Sequence, residues 1–157
     1  MIKNKSFTVD EIKRKLENYC VYQDRCHKEV EQKMREYNLI PEVKEMILLS
    51  LLKDNFLNEE RFAKSFARGK FRIKSWGKNR ISRELKIRDI SAYNLKTALK
   101  EIDEDEYIKT IYRITENRND VISEPNIYKR KKKLIDFLMR KGFENDLIYK
   151  TVNEVVS

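Results

Sequence analysis

A four-point apolar signature recurs three times along this chain and restricts its fold more than any other feature. Val30, Met34, Leu39 and Leu48 form the first copy; Ile81, Leu85, Ile90 and Leu99 the second; Leu134, Leu138, Phe143 and Val152 the third. The offsets from the first position are 4, 9 and 18 in every copy, and the copies lie 51 and 53 residues apart. Residues four apart share a helix face, so the first pair marks one helix. The third position follows a polar stretch and pins a turn, and the fourth falls within a second helix. Local signals agree. Ser91 is placed to cap the helix through Leu99, Pro41 suits a first helical turn, and Gly142 suits a left-handed helix end.

Each copy is preceded by a further helical pattern. Thr8–Glu11 reads as a capping box ahead of Ile12, Leu16 and Tyr19. Asn58-Glu-Glu opens a helix with Phe62, Ala63, Phe66 and Ala67 at helical spacing. Asp103–Glu106 places acids in a first turn, where they complement the helix dipole, with Tyr107, Ile111 and Ile114 following. The expected fold is all-α, an elongated curved solenoid of three tandem three-helix repeats at 1–56, 57–102 and 103–157. The segment Asn117–Asn126 reads as a loop and the best candidate for a flexible joint. Units of this size share apolar faces with their neighbours. A compact helical bundle is the structural rival.

Composition agrees with helices. Gly totals 3 and Pro 2, too few turn formers for an all-β chain, while the 40% apolar fraction is too high for disorder. The longest near-apolar run, Met46–Leu52, is far shorter than the roughly 20 residues a membrane helix needs. Met1–Asp10 contains no apolar signal segment. A cytoplasmic protein is expected, with no membrane partner. Cys20 and Cys26 lack the second ligand pair of a zinc site and read as reduced thiols. No nucleotide-binding glycine loop or nucleophile elbow is present, and a single His makes a His-based general base a poor candidate. No catalytic residues, metal or cofactor are expected.

Charge is the functional signal. The net charge is +9, and residues 57–100 alone carry 13 Lys and Arg against 4 Asp and Glu. A solvated helix face ordinarily mixes signs. Here Arg68, Lys70, Arg72, Lys74, Lys78, Arg80 and Arg83 have few acids nearby in sequence, and a polyanion would relieve their repulsion. Trp76 lies among them, as a packing residue at a turn or as a surface that stacks on a base or anchors a protein. A second basic run, Lys129, Arg130, Lys131, Lys132 and Lys133, is the weaker candidate, because its unit is balanced by acids.

The middle segment Asn58–Leu85 resembles the central repeat of the RecX regulatory proteins. The matching residues are Arg61, Phe62, Ala63, Trp76, Gly77, Arg80, Ile81, Glu84 and Leu85. Lys131–Val152 looks like that family's third repeat, and the first repeat is matched by apolar spacing alone. At the middle turn Arg88-Asp89-Ile90 stands where the family often has Lys-Gly-Ile, and Asp tolerates the left-handed region. The resemblance implies a monomeric, non-enzymatic modulator of the recombinase RecA. Such a protein would bind the RecA filament and single- and double-stranded DNA without sequence preference, and would inhibit strand exchange and ATP hydrolysis. Two other readings stand beside it: a helix-turn-helix transcription regulator built on Lys78–Ala98, and a helical scaffold that binds only protein.

Overall fold

The computed structural model describes residues 6–157, and these form nine helices with no strand. Unit one comprises α1 (Val9–Tyr22), α2 (His27–Met34) and α3 (Pro41–Lys53); unit two α4 (Glu59–Lys74), α5 (Lys78–Ile87) and α6 (Ala92–Leu99). Unit three holds α7 (Glu104–Val121), α8 (Ile127–Lys141) and α9 (Asn145–Val155). None of these helices is long and apolar enough to cross a membrane.

The repeated signature explains the packing. Its first two positions are buried in all three copies, as Val30 and Met34, Ile81 and Leu85, Leu134 and Leu138. All six lie on the second helix of their unit. At the fourth position the copies differ. Val152 is buried, whereas Leu48 and Leu99 are half-buried and their preceding neighbours, Ile47 and Ala98, fill the core.

Helix ends follow the local chemistry. Thr8, Asn58, Ser91, Asp103 and Asn126 each accept a backbone N–H from three residues on. Asp103 is therefore the cap itself, and the acids inside the first turn of α7 are Glu104, Asp105 and Glu106. Gly142 ends α8 at φ +93, and Asp89 takes φ +58 in the middle unit.

The first half of the expected loop at Asn117–Asn126 is helix, because α7 continues to Val121, and only 122–126 connect it to α8. Asn117, Asn119 and Asp120 are weak helix formers. Arg130 overrides them by donating to the carbonyls of Asn119, Ile122 and Glu124 at 2.8, 3.0 and 3.0 Å. That side chain satisfies acceptors which a helix end otherwise leaves to water.

Two cores result. One runs through units two and three and takes in Cys26. The other belongs to unit one, with Leu57 from the following connection. Cys20 and Cys26 thus face different cores, and burial pushes the Cys26 thiol up to about 11. The accessible surface of 10578 Å² exceeds the roughly 8,400 Å² of a compact monomer of this mass, as an elongated array requires.

Candidate nucleic-acid interface

The basic residues of the middle unit are arranged around one tight turn. Ser75 takes φ +54 and reverses the chain after α4, so that Trp76 folds back onto Phe66 with ring centroids 6.3 Å apart. The indole is half-buried against the core. Two cations lie over it, Arg80 at 4.2 Å and Lys70 at 5.1 Å from the ring centroid. Trp76 therefore packs and also holds two of the candidate residues in place; a base could stack on it only by displacing one of them.

Gly77 follows because no larger residue fits. A Cβ there would stand 2.4 Å from the carbonyl of Gly142, on the turn between α8 and α9. The close approach lets Gly77 N–H donate to Lys141 O at 2.8 Å and Asn79 N–H to Gly142 O at 2.9 Å. Behind this joint Tyr107 stacks on Phe71 and Phe143, with centroids 5.7 and 5.2 Å away. The Tyr107 hydroxyl accepts from Lys78 N–H at 2.9 Å and donates to Glu144. Burial first, and then the bond to Glu144, holds that phenol well above its ordinary range.

Tertiary structure divides the candidate cations into two groups. Arg68 pairs with Glu101 at 2.8 Å and Lys78 with Glu104 at 2.9 Å, acids supplied from beyond the middle unit's helices. For these two, the expected lack of neutralisation is corrected: their partners lie 33 and 26 residues away in sequence, so local charge counting missed them. Among the described residues Lys70, Arg72, Lys74, Arg80 and Arg83 have no acid within ion-pair distance. Arg72, Lys74 and Arg83 project from the middle unit, all three exposed. Arg61 serves structure, donating to Asp24 at 2.8 Å and to Phe56 O at 3.1 Å, and so ties unit one to unit two.

The second basic run does not act as a block. Arg130 is committed to the α7–α8 connection, Lys131 donates to Asn153 at 3.2 Å, and Lys133 lies 3.8 Å from Glu124. Lys129 and Lys132 point to solvent. The far end of the same helix, by contrast, reaches the middle unit. Lys141 Nζ donates to Lys74 O at 2.9 Å, and Arg80 donates to Arg140 O at 3.1 Å. Lys109 and Arg113 of α7 line a groove of about 280 Å³ with Arg72 and Glu106. No sequence signal assigned Lys109, Arg113 or Lys141 to this surface, because each reaches it only through packing between units two and three.

The molecule is thus a tandem array of three-helix units with a basic middle member. Within it, the model of the RecX second three-helix domain matches residues 58–99, and that of the RecX third three-helix domain matches residues 104–152. The chain belongs to the RecX family. It is similar to the regulatory protein RecX of Bacillus cytotoxicus, at 24% identity over 88% of this chain and 51% of the relative. To that of Clostridium perfringens it is 28% identical over 76% of this chain and 56% of the relative. The chain spans about half the length of the curated relatives it matches. The crystal structure of RecX from Lactobacillus salivarius superposes with a TM-score of 0.82 at 22% identity, covering 94% of this chain and 96% of that one. A second RecX crystal structure gives 0.82 at 18% identity, over 93% and 73% of the two chains. At such identities the likeness establishes the fold.

Proposed function

We propose that this chain regulates RecA by binding its nucleoprotein filament through the basic middle unit, and that binding restrains strand exchange and ATP hydrolysis. The chain itself hydrolyses no nucleotide and acts in the cytoplasm as a monomer. The observation that carries the reading is the charge excess confined to residues 57–100, with five candidate cations there free of acid partners among the described residues. A polyanionic filament surface compensates such a field, and an elongated repeat array offers a long contact face to a groove. Membership of a family of regulatory proteins supplies the class of target.

A helix-turn-helix transcription regulator would use α5 and α6 as reading helices. The same geometry recurs in α2–α3 and α8–α9, in units without a basic excess, so it serves packing. A scaffold that binds only protein leaves the charge asymmetry without a purpose.

The test compares affinity for random duplex, single strand and RecA-coated strand at one salt concentration. Preference for the coated strand is expected, together with a fall in RecA-dependent ATP hydrolysis. Preference for one duplex sequence, or indifference to DNA in all three forms, would sink the proposal. Reversal of Arg72, Lys74 and Arg83 to Glu should weaken filament binding and flatten its salt dependence. Lys78 is a poor choice for such a variant, since its charge already meets Glu104. Reversal of Lys131, Lys132 and Lys133 should cost less.

A further inference from the structure

At the joint between units two and three, three cations from two units converge. Lys141 reaches across from the end of α8 to donate to Lys74 O at 2.9 Å. Arg80 reaches the other way, to Arg140 O at 3.1 Å. Among the described residues neither Lys141, Lys74 nor Arg80 has an acid within ion-pair distance. The acids of the 101–106 segment neutralise Arg68 and Lys78 instead. Burial first, then the charges of Arg80 and Lys74, push the Lys141 ammonium below its ordinary range.

The frame of this arrangement is fixed. The Gly77–Lys141 and Asn79–Gly142 backbone bonds lock the two units at the point where the cations meet, and Trp76 holds the Arg80 guanidinium at 4.2 Å. Like charges gathered there disfavour the free protein, and an anion bound between them recovers that cost with the Arg80 and Lys141 side chains already held by their hydrogen bonds.

We propose that a phosphodiester backbone crosses the molecule at this joint, held by Lys74 and Arg80 on one side and Lys141 on the other. The proposal rests on the reading that the middle unit faces nucleic acid, and it extends the contact surface onto the third unit through a residue that no sequence motif singles out. A nucleic acid fits better than an acidic protein surface for two reasons. The surrounding unit carries a long-range positive field suited to a regular polyanion. The guanidinium on Trp76 presents a flat cationic face beside the phosphate position, on which a base can stack.

Fluorescence anisotropy of the full chain with a labelled oligothymidine strand and a random duplex, over a series of salt concentrations, tests this. Lys141→Met should lower the magnitude of the log K against log salt slope by about 0.7 to 0.9, one phosphate contact, on whichever form of DNA occupies the joint. Lys141→Arg should restore it, which separates lost charge from a disturbed joint. Lys150→Met, an exposed lysine of α9, should leave the slope unchanged. A wild-type slope for Lys141→Met with the melting temperature intact would overturn the proposal, as would an equal loss from Lys150→Met. Displacement of the probe by polyglutamate as effective as by nucleic acid, at equal charge concentration, would overturn the phosphodiester assignment. If the Arg72, Lys74 and Arg83 reversal abolishes filament binding while Lys141→Met changes nothing, only this inference falls. If that reversal leaves filament binding intact, the broader reading falls with it.

Discussion

Glycine is scarce in this chain, and its three positions differ in kind. Gly142 stands at φ +93, and a Cβ there would lie 2.2 Å from Cβ of Arg80. Both the backbone conformation and the contact exclude a side chain. Gly69 sits inside α4, where a methyl group in place of its hydrogen would meet nothing within 4 Å, so its flexibility only weakens the helix. Opposite outcomes are expected from one substitution. Gly142→Ala should lose at least about 2 kcal/mol, lowering the melting temperature by roughly 4 to 8 °C. Gly69→Ala should gain about 0.5 to 1 kcal/mol. Thermal unfolding followed by circular dichroism reads both, and a Gly142→Ala protein as stable as the parent would contradict the joint as described.

Among the helices, α7 owes its length to a residue outside it. The last turn contains Asn119 and Asp120, with Asn117 just before it, and these favour turns over helix interiors. Arg130 closes that end through Asn119, Ile122 and Glu124. Arg130→Met should therefore destabilise the protein by about 1.5 to 3 kcal/mol, the range for hydrogen bonds from a charged donor. Amides near Val121 should lose hydrogen-exchange protection, while the salt slope of DNA binding stays as in the parent. A change in that slope, with protection near Val121 retained, would return Arg130 to the binding surface. Unlike α7, helices α4 and α6 are tied by Glu59, which accepts from Ser91 N–H and from the Asn94 amide. The first turn of one helix thereby helps fix the start of the other.

For the molecule as a whole, the separation of the two cores has energetic consequences. Unit one is joined to the rest by Arg61–Asp24, by Lys28 donating to Ile87 O at 3.0 Å, and by Cys26, whose side chain sits in the neighbouring core. Units two and three instead share one apolar interior through Phe71, Tyr107 and Phe143. Units with separate cores open separately. Leu51→Ala, in the first core, should cost about 2 to 5 kcal/mol and abolish exchange protection in α1–α3 while leaving α5–α9 protected. Leu138→Ala should lower protection in units two and three together. Equal loss of protection over all nine helices in the Leu51→Ala variant would mean that the chain folds as one cooperative unit.

The three-unit helical design was legible in the sequence because it rests on interactions within four residues. Apolar positions at i and i+4, the caps Thr8, Asn58 and Ser91, and the left-handed Asp89 and Gly142 all act locally. The concentration of positive charge in residues 57–100 was equally plain, since charge is a property of composition. What the cations meet was not. Glu101 and Glu104 neutralise Arg68 and Lys78, and Lys141 joins Lys74 and Arg80, across separations that periodicity does not encode. The joint that gathers the last three exists only because Gly77 lets α5 rest on the turn after α8. Charge per unit is additive along a chain, whereas the field at a point depends on the distances between charges, and only the packing of one unit on the next sets those distances.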